Sequence, residues 1–243
     1  MSVKEKKNAV ASLLAKLRKG KADQGSLMAL VKDCASLETE PDGLTFHPDS
    51  AIAEGIAKDS EYQGTRVLLD ARMDNVRLKI QIDFGVGDVM VPGPRMIEYP
   101  VFLGGKTIPL LAYPVESAIA EKLQAMVALG EANSRMKDFY DVWICSRHLD
   151  FDADTLVTAI AATFKNRETS APTEEFEALT RPFVEGHRIQ WNAFVKKMGE
   201  LDLVDQLGRV VADIAMFAMP VFRSLTLGEQ PTRRWKAGAG WTD

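Results

Sequence analysis

The chain has 243 residues, 46% of them apolar and 26% charged, with a formal charge of −4. That length allows one large domain or two small ones with a proper core. The acidic balance excludes a surface that is basic throughout, so nucleic-acid contact needs a local patch.

Residues 3–19 predict a short helix with Val10, Leu13, Leu14 and Leu17 on one face. Lys4, Lys6, Lys7, Lys16, Arg18, Lys19 and Lys21 there meet a single acid, Glu5, and read as a solvated helix face. No signal peptide is expected, because Lys16 and Arg18 interrupt the apolar run. Ser26 is placed to cap a second helix bearing Leu27, Leu30, Val31 and Cys34. Turns are expected at Pro41-Asp42-Gly43 and His47-Pro48-Asp49, then strands at 52–56 and 66–71. Asp74-Asn75 predicts a hairpin turn into a strand over 77–84. Leu78, Ile80, Ile82 and Phe84 share one side of that strand, and Lys79, Gln81 and Asp83 the other. Asp83 stands out, since Asp is disfavoured in strands and this one runs into Gly85 and Gly87. The section 91–112, rich in Pro and Gly, is expected to wrap an edge of this sheet.

From Pro114 the period becomes helical, over about 114–130, 135–148, 154–166, 188–199 and 203–219. In the first of these helices Val115, Ile119, Leu123, Met126 and Val127 form an apolar stripe, and Lys122 falls inside it. A lysine so placed either snorkels to the rim or meets an anion in a cleft. Ser134 suits the N-cap of the next helix, which is apolar on two faces. Asp138 heads one of those faces, beside Arg135 and Lys137. It either complements the positive helix end or acts as a positioned carboxylate, its cationic neighbours suiting phosphate. Asp150, Asp152 and Asp154 read as helix-capping acids. The segment Val210–Phe222 contains Asp213 and Pro220 and is too short to cross a bilayer. Arg233-Arg234-Trp235-Lys236 belongs to a Gly-rich tail expected to be mobile. Cys34 and Cys145, in no CxxC, read as reduced residues of a cytoplasmic protein.

Familiar motifs are absent. There is no phosphate-binding P-loop, no third glycine after Gly85-Val86-Gly87, no Gly-x-Ser-x-Gly, and His47, His148 and His187 are too scattered for zinc. Three segments do carry a resemblance: "LKIQIDFGVGDVM", "AYPVESAIAEKLQAMV" and "NSRMKDFYDVW", in this order. Together they resemble the AbiEii/AbiGii abortive-infection toxins, a family of nucleotidyltransferase-like proteins, over about residues 26–220. The resemblance implies an α+β fold. A truncated nucleotidyltransferase-like mixed sheet with flanking helices fills 1–112, and a helical region with the tail fills 113–243.

By position, Asp83 looks like the strand-borne acid of the site, a catalytic and metal-binding residue. Lys122 looks like the catalytic lysine that also engages nucleotide phosphates, and Asp138 like the essential acid. Arg135 and Lys137 would line the nucleotide pocket. The implied cofactor is Mg²⁺ and the implied substrate an NTP, with tRNA ends as the acceptor in some members. The implied setting is the bacterial cytoplasm, with a cognate antitoxin and no membrane. The family also carries, upstream, a Gly-Gly or Gly-Ser turn and an Asp-x-Asp strand supplying the main metal ligands. Here Gly25-Ser26 runs instead into Leu27-Met28-Ala29-Leu30-Val31-Lys32-Asp33-Cys34. Two metal ions ~4 Å apart need several fixed oxygen ligands, and Asp83, even with Asp70 or Asp88, supplies few. The expected consequences are weakened transfer and an uncovered strand edge that a homodimer could close. The alternative expectation is a non-catalytic relative that binds nucleotide, RNA or protein.

Overall fold

The computed structural model describes residues 23–38, 43–56, 64–85, 87–100, 105, 107–228 and 234–242. The fold is α+β, and the chain divides into two compact units, 1–88 and 89–243. The helix expected over 3–19, with its basic face, lies outside the described residues.

The first unit holds α1 (Gln24–Ala35) and three antiparallel strands in the order β1 (Leu44–Ile56), β2 (Gly64–Met73), β3 (Val76–Phe84). Asp23, not Ser26, caps α1: its carboxylate accepts the Ser26 backbone N–H at 2.7 Å. Ser26 is thus the third helical residue, whose amide a cap must satisfy. The helix lays Leu27 and Val31 on Ala51, Val67 and Leu69 of the sheet, with Ile80 and Ile82 half-buried alongside. β2 turns into β3 at Asp74-Asn75, as expected, with Asp74 in the left-handed region at φ 51°.

His47-Pro48-Asp49 is no turn but part of β1. The register jumps from His47↔Asp70 to Ile52↔Leu68, which makes a bulge. Ser50 Oγ closes it, accepting the Asp70 N–H at 2.9 Å and donating to the His47 carbonyl at 2.6 Å. Pro48 sits in the unpaired stretch of an edge strand, where its missing N–H costs no ladder bond. β3 is the other edge, and among the described residues no strand pairs with its outer side.

In the second unit, β4 (Arg95–Pro100) and β5 (Thr107–Ala112) form a separate antiparallel hairpin. Both strands are exposed almost throughout, so no alternation marked them in the sequence. Then follow α2 (Val115–Leu129), α3 (Met136–His148), β6 (Phe151–Asp152), α4 (Ala153–Asn166), α5 (Arg181–Met198) and α6 (Leu207–Leu227). Leu123, Phe139, Ile160, Trp191, Phe217 and Phe222, all buried, bring the five helices to one core.

Three boundaries depart from expectation. Ser134 makes no cap for α3; Asn133 Oδ1 instead accepts the Arg135 N–H at 2.9 Å. α5 begins seven residues earlier than expected, because Pro182 stands in its first turn, where a proline N–H is not needed. α6 passes through Pro220 and reaches 21 residues, so by length and composition it is long enough to span a bilayer, against the shorter segment read from the sequence. The carbonyl that loses its helical donor at Pro220 is that of Met216, on the exposed side of the helix. Its other side packs into the core through Val210, Ile214, Phe217 and Val221. Asp213 is tolerated there because it accepts the Trp143 indole N–H at 2.8 Å and pairs with Arg147 at 3.6 Å.

Gly130 ends α2 at φ 50° and ψ −129°, and a Cβ there would collide with the Glu177 carboxylate, which accepts the Glu131 N–H. Gly130→Ala is expected to lower stability by about 1–3 kcal/mol. The check is a urea midpoint that falls while the slope of the transition stays the same.

The Gly-rich segment expected to be mobile is folded over its described part. β7 (Arg234–Lys236) pairs with both β6 and β8 (Gly240–Thr242). Trp235 is buried between Phe217 and Trp241 and donates its indole N–H to the Ser146 carbonyl. Lys236 pairs with Asp150, while Asp152 caps α4 through the Thr155 N–H, as expected for that acidic run.

Candidate active site

The residues singled out in the second unit converge. Lys122 sits on α2 seven residues after Val115, which keeps it on the stripe that faces α3. On α3, Asp138 and Asp141 lie one turn apart and so share a face. Lys122 Nζ stands 2.8 Å from Asp138 Oδ1 and 2.8 Å from Asp141 Oδ2. The lysine therefore meets anions rather than snorkelling to water. Asp138 is almost wholly enclosed, its side chain 5% exposed, and Arg135 Nε lies 2.8 Å from Oδ2. That contact is off the line a hydrogen bond needs, and Oδ2 accepts none. Lys137 Nζ approaches Asp141 Oδ2 at 2.5 Å.

Three cationic heads, Lys122, Arg135 and Lys137, thus surround two carboxylates, leaving one net positive charge. Burial pushes the Lys122 ammonium down, but the hydrogen bonds from it to Asp138 and Asp141 outweigh this and raise its pKa above the ordinary value. For Asp141, burial pushes upward, yet Lys122 and Lys137 hold the carboxyl below the usual range. Both groups are ionised at neutral pH. The arrangement can fix an oriented ammonium and offer two exposed cations, Arg135 and Lys137, to a phosphate; a shift of Arg135 onto that phosphate would uncover Asp138 Oδ2 for a hydroxyl donor.

Asp83 belongs to the first unit, on the polar face of β3. The Arg66 guanidinium grips it two-pronged, Nε to Oδ1 at 2.8 Å and Nη2 to Oδ2 at 2.9 Å, and Gln81 adds a bond at 3.1 Å. Both carboxylate oxygens are therefore engaged. Among the described residues no group of three or more His, Cys, Asp or Glu is placed to hold a metal ion. As arranged, these side chains do not fit a divalent ion, which needs several free oxygens.

Residues 16–212 match the model of one protein family, described as "Nucleotidyl transferase AbiEii toxin, Type IV TA system". The chain belongs to the AbiEii family. No curated protein and no solved structure matches it. Membership makes this a nucleotidyltransferase-like toxin of a toxin–antitoxin system, as the three segments had implied. Sequence reasoning did not single out Asp141, which the structure pairs with Lys122. The signal was present in the second acid of Arg-x-Lys-Asp-x-x-Asp, three positions after Asp138 and so on the same helical face.

Proposed function

We propose that the protein is an NTP-dependent nucleotidyltransferase toxin of the bacterial cytoplasm, with tRNA ends as its acceptor. In this reading Lys122 and Asp138 are catalytic, Arg135 and Lys137 hold the nucleotide phosphates, and Asp83 is the strand-borne acid. The observation that carries it is the Lys122 ammonium at 2.8 Å from both Asp138 and Asp141, inside a cluster of net positive charge. A half-buried, pre-oriented ammonium stabilises charge on a transferring phosphoryl group more than a fully exposed one does. Mg²⁺ is expected only in the company of the triphosphate, whose oxygens supply what the chain lacks, and we assign it no step. A cognate antitoxin and a homodimer paired through the outer side of β3 complete the reading.

A second reading draws on Asp83. With both of its oxygens held by Arg66, transfer would be weak or lost, and the protein would act as a nucleotide- or RNA-binding module.

Incubation with each α-labelled NTP, Mg²⁺ and total tRNA separates the two. Slow incorporation by the wild type is expected, reduced about 100-fold or more in Lys122→Ala and Asp138→Ala. No incorporation, together with an NTP-dependent rise in melting temperature, would decide for the binding module.

A further inference from the structure

Beside Asp138 the surface opens into a cleft of about 390 Å³, within the range of small-ligand sites. Arg135, Lys137 and Asp138 line one side, from the start of α3. The other side is α5, which contributes Gln190 and Phe194. Four residues apart, these two share a helical face. Phe194 is half-buried and steadied by the rings of Tyr140 and Trp191, at centroid distances of 5.9 Å each. Gln190 is exposed and its side chain makes no hydrogen bond among the described residues, so its amide keeps both donors and an acceptor for a ligand. A single recess thus combines an aromatic wall, an unused amide, two cations and the buried Asp138 Oδ2 that accepts no hydrogen bond.

We infer that this cleft binds one nucleoside phosphate, with Phe194 stacking on the base and Gln190 reading its edge. The inference rests on the nucleotidyltransferase reading and adds to it the residues that select the base. Arg135 and Lys137 take the phosphate, and as Arg135 leaves Asp138 Oδ2 a ribose hydroxyl donates to that oxygen in its place. A planar base, an anionic phosphate and a ribose hydroxyl match the three kinds of group that line the cleft. The nucleoside has two sources, the incoming NTP or the terminal nucleotide of the acceptor RNA. Their shared chemistry is what the cleft recognises.

The test uses the full chain and calorimetric titration with ATP, CTP, GTP and UTP, and separately with short RNAs ending in each of the four nucleotides. Phe194→Ala is expected to weaken one of the two arms about tenfold or more for every base, since stacking tolerates all of them. Gln190→Leu is expected to narrow the affinity ratio between the best and worst base in that same arm. Phe194→Trp should restore binding, and together with Gln190→Leu it decides the matter if the alanine variant has a lowered melting temperature. The responding arm identifies the source. Wild-type binding that Phe194→Ala and Gln190→Leu leave unchanged in strength and base ratio overturns the inference but spares the proposed function. A wild type that binds neither NTP nor RNA overturns both.

Discussion

Lys122→Met is expected to destabilise the protein by about 2–3 kcal/mol at neutral pH. The methionine keeps the apolar stem in its stripe but strands Asp138, whose side chain is 5% exposed, with only the misaligned Arg135 beside it. Removing one partner of a fully buried pair costs about 3–5 kcal/mol. The figure here is lower because the lysine side chain is itself 23% exposed and partly screened. The loss should depend on pH in a definite direction. Asp141 has a folded pKa below its ordinary 3.8, so its contribution is complete above that value and disappears as pH falls through the folded one. Lys122 has a folded pKa above its ordinary 10.5, so its share is complete below 10.5 and is lost as pH rises through the folded value. The gap between wild type and variant is therefore widest between those limits and narrows on either side. Urea titrations at stepped pH check this, and a gap that stayed constant into strong acid would contradict the clamp.

Trp235→Ala should cost more, about 3–5 kcal/mol, as for other large aromatic deletions in a packed core. The indole is 7% exposed, lies edge-on to Phe217 and Trp241, and donates to the Ser146 carbonyl at the end of α3. Alanine would leave a void and an unsatisfied buried carbonyl together. Trp235→Phe separates the two effects, because it refills much of the space without restoring the donor. Its midpoint in urea should lie between those of wild type and alanine. If Trp235→Ala unfolds at the wild-type midpoint, β7 does not contribute to the core.

Much of this was legible in the sequence where burial imposes a period. The stripe through Ile119, Leu123 and Met126 located α2 to within a residue or so, because a one-sided helix must repeat its apolar positions. Asp74-Asn75 was legible as a turn because Asp tolerates the left-handed backbone that the turn requires. Lys122 and Asp138 stood out as charged residues on apolar faces, and the structure pairs them. What the pattern missed was decided by contacts distant in the chain. β4 and β5 are exposed, so nothing in their sequence alternates. Trp235 reads as tail until Phe151, more than eighty residues earlier, is seen opposite it. Caps were missed for a local reason. Asp23 competes with Ser26 as two short polar side chains at the start of α1, while α3 has no side-chain cap and Asn133 only accepts the Arg135 N–H ahead of it.

The strand pairing of Phe151 with Trp235 also bears on when the helical unit can be completed during synthesis. The chain emerges from the ribosome one residue after another, so helices α2 to α6, the last ending at Leu227, are made before Trp235 and Trp241. Until then Phe217 lacks its aromatic neighbours from β7 and β8, and the Ser146 carbonyl has no indole donor. The helical unit that carries the Lys122 clamp therefore gains the support of β7 and β8 only after its last helix has been made. A nascent chain thus keeps its helical unit incomplete until β7 and β8 have followed α6 out of the ribosome.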